Sequence, residues 1–98
     1  MKINKELEET KLTIYLEGRF DTASSPMLEE ELKDFISELT ELIFDFEKVE
    51  YISSSGLRII LSAQKVMNKQ GTMIVRHVND VVMEVFEITG FVDILTIE

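Results

Sequence analysis

The sequence predicts one small α/β domain, a mixed β-sheet with packed helices in the order β-β-α-β-α-β-α-β. Three observations carry this. Lys11 to Leu16 alternates polar and apolar residues, and a short polar connection joins it to an apolar run before it. Three later segments keep apolar residues at helical spacing. Short β-prone runs separate them, the pattern of strand–helix–strand units with parallel neighbours and right-handed crossovers.

Ile3 to Leu7 and Lys11 to Leu16 read as two strands joined by Glu8-Glu9-Thr10. So short a connection implies a hairpin, hence an antiparallel pair. In the second strand Leu12, Ile14 and Leu16 make the buried face. Gly18 to Ser24 reads as loop. A first helix is expected from Ser25-Pro26, with serine as N-cap and proline at the start, where its missing N–H costs nothing. Glu29, Glu30 and Glu31 favour its positive end and read as a solvated face. Leu28, Leu32, Phe35, Ile36 and Leu39 form its core stripe.

Leu42 to Phe46 reads as a central strand. A second helix follows Ser53-Ser54-Ser55, with Gly56, Ile60, Ala63 and Met67 inward and Arg58, Ser62, Lys65 and Lys69 outward. Gly71 is read as its C-terminal glycine. Thr72 to His77 is a strand. Val81 to Ile88 is a third helix closed by Gly90, and Phe91 to Ile97 is read as a final short strand.

The 98 residues fit a single domain, and no repeat or linker interrupts them. There is no cysteine, so a disulfide scaffold and thiol chemistry are excluded. No apolar run approaches the roughly 20 residues of a membrane span. The opening Met1 to Glu6 lacks the apolar centre of a signal peptide. A soluble cytoplasmic protein with no membrane partner is expected. Ten Lys and Arg face nineteen Asp and Glu, a formal charge of −9. Such a surface repels nucleic acid, so no direct DNA or RNA binding is expected. It suits a basic partner or simply keeps the domain soluble.

The chemistry concentrates in Ser53-Ser54-Ser55-Gly56. A helix N-terminus carries unpaired N–H groups and partial positive charge. A hydroxyl there caps the helix, or it accepts a phosphoryl group that adds about −1.5 to −2 charges. Enzyme readings fare poorly. His77 is the only histidine, and no Gly-x-Ser-x-Gly elbow or phosphate-binding loop is present. A serine hydrolase therefore lacks a base. No ordered carboxylate spacing indicates a metal site, and no cofactor is expected. Asp45 inside an apolar strand needs a hydrogen-bonding partner if buried.

Leu42-Ile43-Phe44-Asp45-Phe46, then Val49 to Leu57 with its serine run, then a helix, resembles the STAS domain of bacterial anti-sigma factor antagonists. Gly18-Arg19-Phe20-Asp21 is similar to the family's turn before the first helix. Ile88-Thr89-Gly90-Phe91 is similar to the end of its third helix. The likeness covers almost the whole chain, residues 1–98 as one domain. It implies partner switching. The unphosphorylated antagonist binds an anti-sigma factor that is a serine kinase, and sigma is released. Phosphorylation of a loop serine ends binding, and a metal-dependent serine phosphatase resets it. The acceptor falls on Ser54, with Ser55 and then Ser53 as rivals. Asp21, Thr22, Ser53, Ser55, Gly56 and Arg58 join it as partner-binding candidates. Asp21 is equally read as a turn residue, and Arg58 as a solvated helix residue. Ser53 stands where the family often has Asp. The alternative function is a STAS-type scaffold or ligand-sensing module without phosphorylation. Oligomeric state is not indicated.

Overall fold

The computed structural model describes residues 1–98. The elements run β1 (Lys2–Glu8), β2 (Lys11–Phe20), α1 (Ser25–Lys33), β3 (Glu41–Ile52), α2 (Ser54–Met67), β4 (Thr72–Arg76) and α3 (Asp80–Thr89). Sheet order is β1-β2-β3-β4. β1 and β2 form the expected antiparallel hairpin, whereas β2–β3 and β3–β4 pair in parallel. The result is the mixed sheet with packed helices that the sequence predicts.

Strand parity divides the molecule into two unlike faces. Leu12, Ile14 and Leu16 of β2 join Leu42, Phe44 and Phe46 of β3 and Met73 and Val75 of β4 in one buried cluster. All three helices pack on that face: Leu28 and Leu32 from α1, Ile60, Ala63 and Met67 from α2, Val82 and Phe86 from α3. Burying each large apolar side chain contributes about 1.5–3 kcal/mol before chain entropy is counted. Docking of α3 therefore rests on Val82 and Phe86, its two buried residues, with Phe86 tilted against Phe46. The opposite face of the sheet, which carries Tyr15, Asp45 and Arg76, has no helix over it.

The structure differs from the sequence reading at several places. The second strand runs on through Gly18 and Arg19 to Phe20, because β3 also extends and supplies Val49, Tyr51 and Ile52 as partners. The first helix stops at Lys33, and a separate 3₁₀ turn spans Ile36–Glu38. Gln70 Nε2 holds that turn by donating to Ile36 O at 2.6 Å and Leu39 O at 2.7 Å. Ser24, not Ser25, occupies the N-cap position of α1, and the Ser25 hydroxyl donates to Asp21 O at 2.6 Å.

Gly71 lies beyond the end of α2 and has no positive φ. It is a glycine for another reason: a Cβ there would lie 2.0 Å from Thr40 O. Gly90 does close α3 in the left-handed conformation, φ 81°. The final strand is reduced to a 3₁₀ turn at Phe91–Asp93 and one parallel bridge, Val75 to Ile97. Phe91 stacks on Phe86 at 6.4 Å between centroids, and only Thr96 to Glu98 run along β4, with Val75 N–H donating to Thr96 O and Glu98 N–H to Val75 O, each at 2.9 Å.

Candidate functional site

The serine loop begins where β3 ends at the C-terminal edge of the sheet. Parallel neighbours bring the end of β2 alongside, with Phe20 paired to Ile52. Ser53 N–H donates to Phe20 O at 2.9 Å, which turns the chain out of the sheet and into α2. Ser53 is the N-cap, with extended backbone and its Oγ accepting from Gly56 N–H at 3.4 Å. Its carbonyl accepts the first intrahelical bond, from Leu57 N–H at 2.9 Å. The N–H groups of Ser54 and Ser55 lie ahead of that bond and point outward at the positive end of the helix.

The three hydroxyls are thus unequal. Ser53 Oγ is held in the cap. Ser55 Oγ lies 3.1 Å from Thr22 Oγ1 on the loop between β2 and α1. Ser54 is exposed, and its hydroxyl has no hydrogen bond within the chain. Gly56 is buried beneath them, where a Cβ would meet Phe20 O and Ile52 Cγ1 at 2.9 Å each. Close packing against the end of β2, rather than exposure to a partner, is what requires glycine here. Arg58 is exposed on α2, four residues after Ser54 and so on its face.

Asp21 builds the neighbouring loop. Its Oδ1 accepts from the N–H groups of Ala23 and Ser24 and from Ser24 Oγ, each at 3.1 Å. Arg19 Nε approaches Oδ2 at 3.7 Å. The Ser24 N–H holds the Asp21 carboxyl below the usual carboxylate range. Partial burial opposes this, while the Ser24 hydroxyl, the Ala23 N–H and Arg19 reinforce it. The turn reading of Asp21 therefore has a full set of contacts. Arg19 lies over the Tyr51 ring at 4.8 Å, so a cation–π pair borders the serine loop.

One feature escaped the sequence and another was only half visible in it. The Thr22–Ser55 contact joins residues 33 apart, and neither residue type signals the other. Asp45 did signal a need for partners, and it has them. Burial pushes its carboxyl up, but the Glu47 N–H, Arg76 and His77 overcome that and leave it lowered. Arg76 Nε and His77 Nδ1 each approach Asp45 Oδ2 at 3.1 Å. This cluster sits on the uncovered face, away from the serine loop, so Asp45 is not a neighbour of the three serines.

The model of the STAS domain family matches residues 2–98. The chain belongs to the STAS domain family. BtrV of Bordetella bronchiseptica, named for an anti-sigma factor antagonist role, is 31% identical over 99% of this chain and 85% of its own length. The anti-sigma-B factor antagonist of Bacillus subtilis is 28% identical over 99% of this chain and 92% of its own. The unphosphorylated form of the anti-sigma factor antagonist SpoIIAA superposes with a TM-score of 0.86 at 20% identity, covering 99% of this chain and 88% of that one. Its phosphorylated form gives 0.78 at 19% identity over 99% and 91%. The STAS fold of this chain is the SpoIIAA fold, and its sequence relatives are anti-sigma factor antagonists. No helix is long and apolar enough to cross a membrane.

Proposed function

We propose that this chain is an anti-sigma factor antagonist whose binding is switched by phosphorylation of Ser54. One observation carries the choice of residue: of three adjacent serines, only Ser54 offers an exposed hydroxyl that the fold does not use. The unphosphorylated chain binds an anti-sigma factor serine kinase and displaces sigma from it. The kinase holds ATP. Ser54 Oγ attacks the γ-phosphorus, a new O–P bond forms, the bond to the bridging β,γ-oxygen breaks, and ADP leaves. The serine proton passes to a base that the kinase supplies.

The product is compatible with the fold. A phosphate at the first position of α2 faces the free N–H groups of Ser54 and Ser55 and the positive end of the helix. It is not compatible with a tight interface, because the added charge must be desolvated or matched by the partner. Binding therefore ends while the domain stays folded. A metal-dependent serine phosphatase resets the switch by hydrolysis. Thr22, fastened to Ser55, Asp21 on the same loop, and Arg58, one turn along α2, form the rim of the contact surface.

Ser53 in place of the family's Asp fits this reading. A serine accepts from the Gly56 N–H as an Asp would, so the cap survives without the carboxylate. The test is site-mapping mass spectrometry after incubation with the cognate kinase, ATP and magnesium. One phosphate on Ser54 is expected. No phosphate, with the kinase active and still bound, would replace this reading with an unswitched interaction module.

A further inference from the structure

We propose a second site, unrelated to the serine loop: a divalent transition-metal ion, zinc in the first instance, held by Asp45, Glu47 and His77 on the uncovered face of the sheet. Asp45 lies seven residues before Ile52 on β3, so the site is roughly 20 Å from the serine loop along an extended strand. The proposal stands or falls independently of the phosphorylation reading.

One ligating atom from each of the three residues falls within 4.8 Å of the others. His77 Nδ1 and Asp45 Oδ2 are 3.1 Å apart. Two ligands about 2.1 Å from a tetrahedral zinc are separated by about 3.4 Å, so the spacing of this pair suits a shared ion once the His77 ring exchanges its hydrogen bond to Asp45 for the metal. One imidazole and two carboxylates are a donor set that zinc accepts, leaving its fourth position to water or to a partner's side chain.

Asp45 is already fixed as a ligand should be. Its side chain is 5% exposed. Its Oδ1 accepts from Glu47 N–H at 3.0 Å and its Oδ2 from Arg76 Nε at 3.1 Å. Ligating carboxylates are commonly held by such donors; Oδ1 keeps a second lone pair for the metal, and Oδ2 regains one when His77 turns from it to the ion. His77, just beyond β4, has φ 59° and is tied by its N–H to Glu98 O at 3.3 Å. Its ring is 55% exposed, so an ion can enter from solvent.

Asp45 and Glu47 line a concavity of about 450 Å³ that also carries Glu6, Glu17 and Lys48, with His77 outside its lining. Arg76 and Lys48 oppose a cation, but the four carboxylates of Asp45, Glu47, Glu6 and Glu17 outnumber them, and the net negative charge draws a cation in. The ion would join β3 to the end of β4, where Asp45 pairs with Arg76 in the sheet.

The test is calorimetric titration of the chelator-treated full chain with zinc chloride, with the visible spectrum of the cobalt(II)-loaded chain as a second readout. One ion per chain, micromolar affinity and a tetrahedral cobalt spectrum are expected. His77→Ala and Glu47→Gln change exposed side chains, and each should weaken binding by roughly tenfold or more. Glu84→Gln, on α3 and outside the concavity, should bind as the parent does. No saturable uptake, or uptake that His77→Ala and Glu47→Gln leave unchanged, overturns the proposal.

Discussion

Thr22 Oγ1 and Ser55 Oγ lie 3.1 Å apart, so the loop after β2 is fastened to the first turn of α2. The bond does two things. It fixes the loop beside Ser54, and it occupies the hydroxyl of the next serine, Ser55. The free Ser54 hydroxyl is thus defined as much by its neighbours' contacts as by its own position.

Thr22→Val removes that contact while keeping shape. Both residues border solvent, so stability should change by less than about 1 kcal/mol. The kinase should then place a minor phosphate on Ser55, absent from the parent and read by peptide mass spectrometry. Phosphate confined to Ser54 in the variant would mean that the kinase, not the hydrogen bond, excludes Ser55.

Gly56→Ala should destabilise the domain by about 1–3 kcal/mol in urea unfolding, because the new methyl meets Phe20 O and Ile52 Cγ1 at 2.9 Å. Gly71→Ala should cost more, since its methyl would lie 2.0 Å from the backbone oxygen of Thr40. An Ala at either position with unchanged stability contradicts this close packing.

The Asp21 carboxyl should titrate below the ordinary Asp value of about 3.9, as followed by carbon-13 chemical shifts. A carboxyl lowered in the folded state adds stability above its unfolded pKa and loses it as pH falls through the folded pKa. Asp21→Asn keeps the turn-forming oxygen but not the charge. The variant's stability relative to the parent should therefore improve as pH drops below about 4.

Ser54→Asp should keep the circular dichroism spectrum and melting temperature near those of the parent and bind the kinase at least roughly tenfold more weakly, about 1.4 kcal/mol. Ser54→Ala should bind as the parent does and accept no phosphate. Tight binding by folded Ser54→Asp would count heavily against the switch.

Much of this was legible in the sequence, and the exceptions have physical causes. Leu12, Ile14 and Leu16 alternate strictly, and Gly56, Ile60, Ala63 and Met67 keep one helical stripe, so β2 and α2 announce themselves. Gly90 marks the end of α3 because a left-handed residue is needed there. The segment from Phe91 to Ile97 has strand-like composition, but Phe91 to Asp93 form a 3₁₀ turn with Phe91 stacked on Phe86, and only the last residues reach β4. Leu39 continued a helical spacing that α1 does not use, because Gln70 takes the carbonyls of Ile36 and Leu39 from another part of the chain. The serine run identified the loop, but not which hydroxyl was free. That depended on Thr22, a residue brought close only by the parallel pairing of β2 with β3. Asp45 and His77 likewise stand 32 positions apart, a distance over which no ligand spacing is visible.

The central claim is that a phosphate on Ser54 controls partner binding. The measurement that tests it most directly is the affinity of the cognate anti-sigma factor for this chain before and after complete phosphorylation at Ser54. Tight binding before and loss of binding after, with the fold intact in both forms, is the predicted result. Equal affinity in the two forms would contradict it.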